Sequence, residues 1–277
     1  MKHHGVALTC VLVSAFVAAC GGGNAARDGG TTGSAGSPAV DPVPAAGSGV
    51  EGKEVGAAAE PALLRFDFDD DAIGAVPDGF TSVHSGHGAE GMWRVVEAPD
   101  APSDRQAVAQ IVADRTGSRY PLLVLDSPMA RDVELRVAGK PISGTVDQAI
   151  GLIWRYQDAN NYYVVRANAL EDNVVLYKME AGKRSDIDLK GRGSTYGLDV
   201  EVPRETWSRL GVRAQGNLFT VLLNGRELFQ VEDDTFVGAG KVGLWTKADS
   251  VTWFDNLEVR VLDSSSSSGS ADVGSGE

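Results

Sequence analysis

Residues 150–178 read I-G-L-I-W-R-Y-Q-D-A-N-N-Y-Y-V-V-R-A-N-A-L-E-D-N-V-V-L-Y-K. Two runs rich in Ile, Val, Tyr and Trp are broken by Asp158-Ala159-Asn160-Asn161, and a third is entered through Glu171-Asp172-Asn173. β-Branched and aromatic side chains suit a pleated, half-buried surface, and Asn and Asp suit turns, so the stretch predicts three antiparallel strands in a meander. With 158–161 as the first connection, Gln157 faces Tyr162, Arg155 faces Val164, Ile153 faces Arg166 and Gly151 faces Asn168. A period of two puts all of these on one face. The other face collects Leu152, Trp154, Tyr156, Tyr163, Val165 and Ala167. With Leu170 opposite Val174 it continues through Val175, Tyr177 and Met179, and it is expected to be core. The polar face carries Arg155, Gln157, Tyr162, Arg166, Asn168 and Lys178, followed by Glu180. It reads either as the solvated outer side of a half-buried sheet or as a ligand face, with Arg155 and Arg166 near each other on adjacent strands.

Outward from the meander, strand-like runs recur from about residue 64 to residue 262 with turn signals between them and no long stripe of period 3.6. A count of ~14 exceeds what one open twisted sheet carries, so an all-β fold of two packed antiparallel sheets, a sandwich or jelly roll, is expected. Asn224-Gly225 between Phe219–Leu223 and Arg226–Phe229 is a hairpin signal, because both central residues of a type I′ turn need positive φ. Leu64, Phe66 and Phe68 match Leu257, Val259 and Val261 in pattern, so the first and last strands are expected to pair and close the domain.

The start of the chain carries one lysine, an apolar run from Val6 to Ala19 and then Cys20. That run is shorter than the ~20 residues of a transmembrane helix and reads as a secretory signal. Val17-Ala18-Ala19-Cys20 resembles the bacterial lipobox, in which the cysteine is acylated and becomes the mature N-terminus. Two or more acyl chains give stable membrane anchoring. Gly21 in place of aspartate points, by that resemblance, to the outer membrane. The organisation is then a signal peptide over 1–19, a Gly/Ala/Ser/Pro tether over 20–62, one folded domain over 63–262 and a Ser/Gly tail over 263–277. Tether and tail hold too few large apolar residues to offset the entropy of ordering. The chain's two cysteines are Cys10 and Cys20, so the domain has no disulfide.

The run 151–168, together with Val175–Lys178 and Lys241-Val-Gly-Leu-Trp-Thr-Lys-Ala-Asp249 followed by Phe254-Asp-Asn256, resembles the concanavalin A-like lectin/glucanase superfamily. More narrowly it is similar to the laminin-G-like domains described as 3-keto-disaccharide hydrolase-like in bacterial proteins. The resemblance implies a two-sheet jelly roll whose concave face and rim loops meet a poly- or oligosaccharide, in some members with calcium. Lectins, glycosidases and inert spacers share this fold, so activity has to be argued from a site.

Three readings follow: a lipid-anchored glycan-binding module of the cell envelope, a carbohydrate hydrolase, and a spacer or adhesion domain. The paired-carboxylate strand motif of the glucanases, E-x-D-x-x-E or E-x-D-x-E, is absent, as are G-x-S-x-G and H-E-x-x-H, so no catalytic set is assigned. An enzyme would need an acid or base such as Glu171, Asp158 or His87 beside the sugar. His84 and His87 lie in a Gly-rich stretch read as a connection. Asp67, Asp69 and Asp71, with Asp255 brought near by closure of the domain, are the candidate calcium ligands; a solvated acidic loop is the alternative. A net charge of −13 without a Lys/Arg-rich run argues against nucleic acid. The arginine forks of the polar face would suit an anionic or oxidised sugar.

Overall fold

The computed structural model describes residues 63–262. The signal, Cys20, the tether and the tail lie outside the described residues. Among the described residues there is no helix, and the strands in chain order are β1 (Leu63–Phe66), β2 (Phe80–Gly86), β3 (Trp93–Glu97), β4 (Gln106–Gln110), β5 (Arg119–Leu125), β6 (Val133–Ser143), β7 (Ala149–Asp158) and β8 (Asn161–Asn168). They continue with β9 (Asn173–Glu180), β10 (Lys183–Asp186), β11 (Leu198–Asp199), β12 (Ser208–Gln215), β13 (Leu218–Leu223), β14 (Arg226–Glu232), β15 (Lys241–Trp245) and β16 (Val251–Val261). Two antiparallel sheets result. One runs β14-β13-β12-β6-β16-β4-β3 with β1 on β16, and the other runs β10-β9-β8-β7-β15-β5-β2 with β11 on β9. The all-β sandwich read from the meander is the fold observed.

The first sheet alternates as a half-buried sheet should. β12 buries Leu210, Val212 and Ala214 and exposes Arg209 and Arg213, and β13 buries Phe219, Val221 and Leu223. These pack between the sheets with Trp154, Tyr163 and Leu176 from the second sheet. Trp154, Tyr163 and Phe219 form the aromatic centre, with centroids 4.8–5.4 Å apart. Truncating any one of the three would cost about 3–5 kcal/mol. At one end β1 lies antiparallel on β16, with Leu64 opposite Val259 and Phe66 opposite Leu257, so the termini of the domain close on each other. Asn224 and Gly225 take φ of 51° and 80°, as a type I′ turn requires.

The second sheet is buried on both faces, and curvature is the reason. Tyr162 in β8 donates to Ser85 in β2 at 3.2 Å, although three strands separate them in the sheet order. In a flat sheet they would stand about 19 Å apart at ~4.8 Å per strand. The sheet is therefore rolled into a half-barrel. Its inside is a second core of Tyr120, Leu122, Val124, Ile153, Val164, Val175, Tyr177 and Trp245, among others.

The register of the meander differs from the sequence reading in two ways. In the first hairpin Gly151 pairs with Arg166 and Ile153 with Val164, two residues from the expected register. An even slip keeps every side chain on its face, so Leu152, Trp154, Tyr163, Val165 and Ala167 do enter the core between the sheets. In the second hairpin Asn168 pairs with Asn173 across a turn in which Asp172 has φ 48°. That is a register three residues from Leu170 opposite Val174, and an odd slip turns the strand over. Val174 and Leu176 join the core between the sheets, whereas Val175, Tyr177 and Met179 face into the half-barrel. The 80–86 segment, read as a connection, is strand β2, so His84 sits in a strand.

Candidate functional site at the mouth of the half-barrel

The six residues of the expected polar face part company. Between Trp154 and Asp158 β7 carries a bulge, with Arg155 at φ 47°. Gly240 makes it possible: a Cβ there would collide with the Arg155 backbone. The bulge sends the Arg155 side chain between the sheets. It is fully buried there, over the Phe219 ring at 5.3 Å, and donates to the carbonyls of Arg131 (2.9 Å), Phe236 (2.8 Å) and Gly216 and to Asp132 (3.3 Å). Gln157 reaches the Ala239 carbonyl on the surface at 3.0 Å. Lys178, turned over with its strand, pairs with Asp233 at 3.0 Å and Thr235 at 2.6 Å. Only Tyr162, Arg166 and Asn168 share the concave face, and all three are buried. They are not on a solvated surface because the sheet rolls over them. Burial pushes the Tyr162 phenol up to about 12. The expected neighbourhood of Arg155 and Arg166 does not exist: one lies between the sheets and the other inside the half-barrel.

Arg166 instead joins residues that flank the strands at one end of the half-barrel. Its Nη2 donates to Glu171 Oε2 and to Asn173 Oδ1, each at 2.8 Å, and its guanidinium lies 5.6 Å from the Tyr177 ring centroid. Nη1 is 3.9 Å from Asp147 Oδ2, which also binds the Lys247 ammonium. Asp147 is placed by the carboxylate of Asp249, which accepts from the N–H groups of Thr145 (2.8 Å), Val146 (2.9 Å) and Asp147 (3.0 Å) and from the Thr145 hydroxyl (2.8 Å). Asn168 Oδ1 accepts from the N–H of Leu170 at 3.0 Å and of Gln148 at 3.3 Å.

Beneath this polar tier lies an aromatic one. Tyr120 stacks on Trp245 with centroids 5.6 Å apart, and the Arg184 guanidinium sits over Tyr177 (4.4 Å) and Tyr120 (5.3 Å). Gly151 provides the space for Trp245: a Cβ there would come within 2.8 Å of the indole. On the rim, the Glu171 side chain is 40% exposed and Tyr196, hydrogen-bonded to Tyr177 at 2.6 Å, is 51% exposed.

Several buried atoms here lack a hydrogen-bond partner: Arg166 Nε and Nη1, Asp147 Oδ1 and Asn168 Nδ2. Buried polar groups left unpaired are costly, and a cluster of them needs an explanation. Sugar hydroxyls, which both donate and accept, are groups that would satisfy such unpaired donors and acceptors near aromatic rings. The charges are biased as well. Burial pushes the Asp147 carboxyl up, against the pull of Arg166 and Lys247. Burial works the same way on Glu171, but Arg166 and Asn173 outweigh it and hold that carboxyl below its ordinary value.

The sequence reading reached Tyr162, Arg166 and Asn168, named Glu171 as an acid, and missed Asp147, Asn173, Arg184 and Lys247. Asp147 stands two residues before β7, Asn173 opens β9, and Lys247 follows β15 by two. The signal that could have found them is a polar residue at or next to a strand end, at the same end of one sheet.

The candidate calcium ligands are each engaged by protein donors. Asp69 accepts from the N–H groups of Arg105 (3.2 Å) and Gln106 (3.0 Å), Asp71 from Asp78 (3.0 Å), and Asp67 from Asp69 (3.4 Å). Asp255 is buried and takes the Ser103 N–H and hydroxyl at 2.8 and 3.0 Å. Asp69 and Asp255 thereby tie together segments far apart in the chain, and among the described residues no group of three or more His, Cys, Asp or Glu is placed to hold a metal ion.

No protein-family model matches the sequence, and no curated protein matches it either. Among solved structures, the carbohydrate binding module CBM66 from Bacillus subtilis superposes with a TM-score of 0.50 at 20% identity, over 66% of this chain and 95% of that one. The fold shared with that module is a two-sheet antiparallel β-sandwich. Domain 4 of AbnA, a GH43 extracellular arabinanase from Geobacillus stearothermophilus solved with arabinotriose, aligns at 18% identity over 73% of this chain and 93% of that one, with a TM-score of 0.47. The cellulose induced protein Cip1 aligns at 13% identity over 72% and 97%, with a TM-score of 0.49.

Proposed function

We propose that this concanavalin A-like domain is a glycan-binding module whose site is the mouth of the half-barrel. The observation that carries the reading is the buried Arg166 guanidinium whose Nε and Nη1 lack hydrogen-bond partners, as do Asp147 Oδ1 and Asn168 Nδ2. Sugar hydroxyls both donate and accept, so one ring can satisfy such a mixed set. Arg166, Arg184 and Lys247 against Asp147 and Glu171 leave this cluster one positive charge in excess, which favours a sugar bearing a carboxylate. That a carbohydrate binding module shares the fold supports the reading. The test is a glycan array with wild type and Arg166→Ala; equal binding of a folded variant overturns it.

One observation favours a second reading, a carbohydrate hydrolase. Asp147 and Glu171 both contact Arg166, and their carboxyl pKa values are driven in opposite directions, as an acid and a base would require. Release of reducing ends from a bound glycan, abolished in Asp147→Asn, would establish it; binding without release leaves a lectin.

The lipobox-like Val17-Ala18-Ala19-Cys20 supports anchoring of the module to the bacterial envelope, at the outer membrane, through acylated Cys20. Cys20→Ala is expected to move the protein from the membrane to the soluble fraction. Retention at the membrane would refute the anchor.

A further inference from the structure

The outer face of the flatter sheet, away from the half-barrel, carries a concavity of its own. The pairing of β16 with β6 shifts register between Asp255 and Glu258, and Asn256 takes φ 48° there. A bulge re-aims the side chains around it, and small Ala138 pairs with Asp255 at the shift. A depression of about 390 Å³ opens over Ala138, walled by Trp207, Arg65, Arg209, Glu258, Asn224 and Asn256. That volume falls within the range of small-molecule sites.

The walls are built rather than fortuitous. Glu258 Oε1 accepts from Arg65 Nη2 at 2.9 Å and its Oε2 from Arg209 Nη2. The carboxylate is 12% exposed, whereas the two arginine side chains are 55% and 48% exposed. One carboxylate therefore fixes two guanidinium planes from below. A guanidinium has five N–H donors, so each keeps most of its donors for the groove. Asn224 Oδ1 accepts from the Arg209 N–H at 2.8 Å and fixes that corner. The Trp207 indole is held by Lys140, whose ammonium lies 6.0 Å from the ring centroid and pairs with Asp100 at 2.7 Å.

We infer that this groove is a second saccharide site, selective for a sugar that carries a carboxylate. The indole offers apolar surface to a pyranose ring, and the arginine forks offer paired donors to a carboxylate. Two guanidinium groups against one carboxylate leave a unit of positive charge uncompensated, on a chain whose net charge of −13 repels anions elsewhere. The site stands on the opposite sheet from the half-barrel and does not depend on that reading. With both occupied, one molecule holds two glycan segments, and linked binding events raise avidity without new contacts.

The experiment titrates the full chain, and its Arg166→Ala variant, with a hexuronate trisaccharide and with the neutral trisaccharide of the same linkage, by calorimetry. In the Arg166→Ala background one uronate site is expected to remain. There, Trp207→Ala or Arg209→Gln should weaken it about tenfold or more, as for a lost charge-assisted contact. Glu258→Gln, which frees both forks from their internal carboxylate, should tighten it several-fold. Thermal melts confirm that each variant is folded, and Trp207→Phe keeps a ring in place and should retain most of the binding. Loss of all uronate binding in Arg166→Ala, unchanged binding in a folded Trp207→Ala variant, or equal affinity for the neutral sugar each overturns the inference. A half-barrel reading that fails shows itself separately, as Arg166→Ala binding indistinguishable from wild type.

Discussion

Arg155 and Arg166 stand eleven positions apart in one meander, both fully buried, and meet opposite fates. Arg155 is spent on the fold. Three carbonyls and Asp132 take its guanidinium between the sheets, tying β7 to the segments around Arg131, Gly216 and Phe236. Burial dominates its energetics and holds its pKa below the ordinary value. Arg166 faces the same burial, but Tyr177, Asp147 and Glu171 outweigh it and raise its pKa, and two of its nitrogens are still without a hydrogen-bond partner. Burial alone therefore does not separate a structural arginine from a binding one. Whether the donors are already used does.

The sharpest way to break the comparison is to remove each arginine in turn. Arg155→Ala leaves Asp132 and three carbonyls without their buried cation, and deletion of one partner of a buried pair costs about 3–5 kcal/mol. A large loss of denaturant midpoint is expected, with glycan binding falling only as far as the folded fraction does. Arg166→Ala should do the reverse. Lys247 still neutralises Asp147 and Glu171 is open to solvent, so the fold is expected to hold while binding loses about 1.5–3 kcal/mol, the worth of a charge-assisted hydrogen bond. If Arg166→Ala unfolds the domain, or Arg155→Ala leaves its stability unchanged, the two roles have been assigned the wrong way round.

How much of this contrast was legible in the sequence depends on what each feature needed. Alternation fixes faces, so Leu152, Trp154, Tyr163 and Val165 could be placed in the core, and Asn224-Gly225 declared its own turn. The half-barrel could not be read, because curvature is a property of seven strands together; without it Tyr162 and Arg166 look solvated. The Arg155 bulge depends on Gly240, a residue 85 positions away that lets the backbone approach, and no local pattern announces it. The third strand was turned over because the connection is Ala169 to Asp172, three register steps from Leu170 opposite Val174, and an odd shift reverses a strand. Missing it put Lys178 on the wrong side and left Tyr177 out of the site.

A smaller effect is expected from acid. Burial alone would raise the Asp249 carboxyl, but the N–H groups of Thr145, Asp147 and Val146 and the Thr145 hydroxyl outweigh it and hold it below the ordinary 3.8. A carboxyl depressed by folding contributes stability that is complete above its unfolded value and lost as pH falls through the folded one. The 145–147 loop should therefore loosen below pH 3.8, releasing Asp147 and weakening binding while the core still holds. Asp249→Asn should bind weakly already at neutral pH. Binding and near-ultraviolet dichroism lost together at one pH would mean that the loop and the core are a single unit.

The smallest effect tests what holds Arg166 in place. Glu171 grips it at 2.8 Å from a half-solvated position, and an exposed ion pair contributes about 0–1 kcal/mol. Glu171→Gln keeps an oxygen for Nη2 and removes one negative charge, so stability should change by less than about 1 kcal/mol. Binding is where the charge counts. With Glu171 neutral the cluster is left with Arg166, Arg184 and Lys247 against Asp147, and a ligand carboxylate would meet a stronger field. A two- to fivefold gain, roughly 0.4–1 kcal/mol, is expected for an acidic sugar at low salt, shrinking as salt screens it. A neutral sugar gains nothing from the charge and loses a well-placed guanidinium, so its affinity should fall. The same variant measured against both sugars reads the sign of the ligand from the sign of the change, and weaker binding of the acidic sugar would mean that Arg166 serves hydroxyl groups alone.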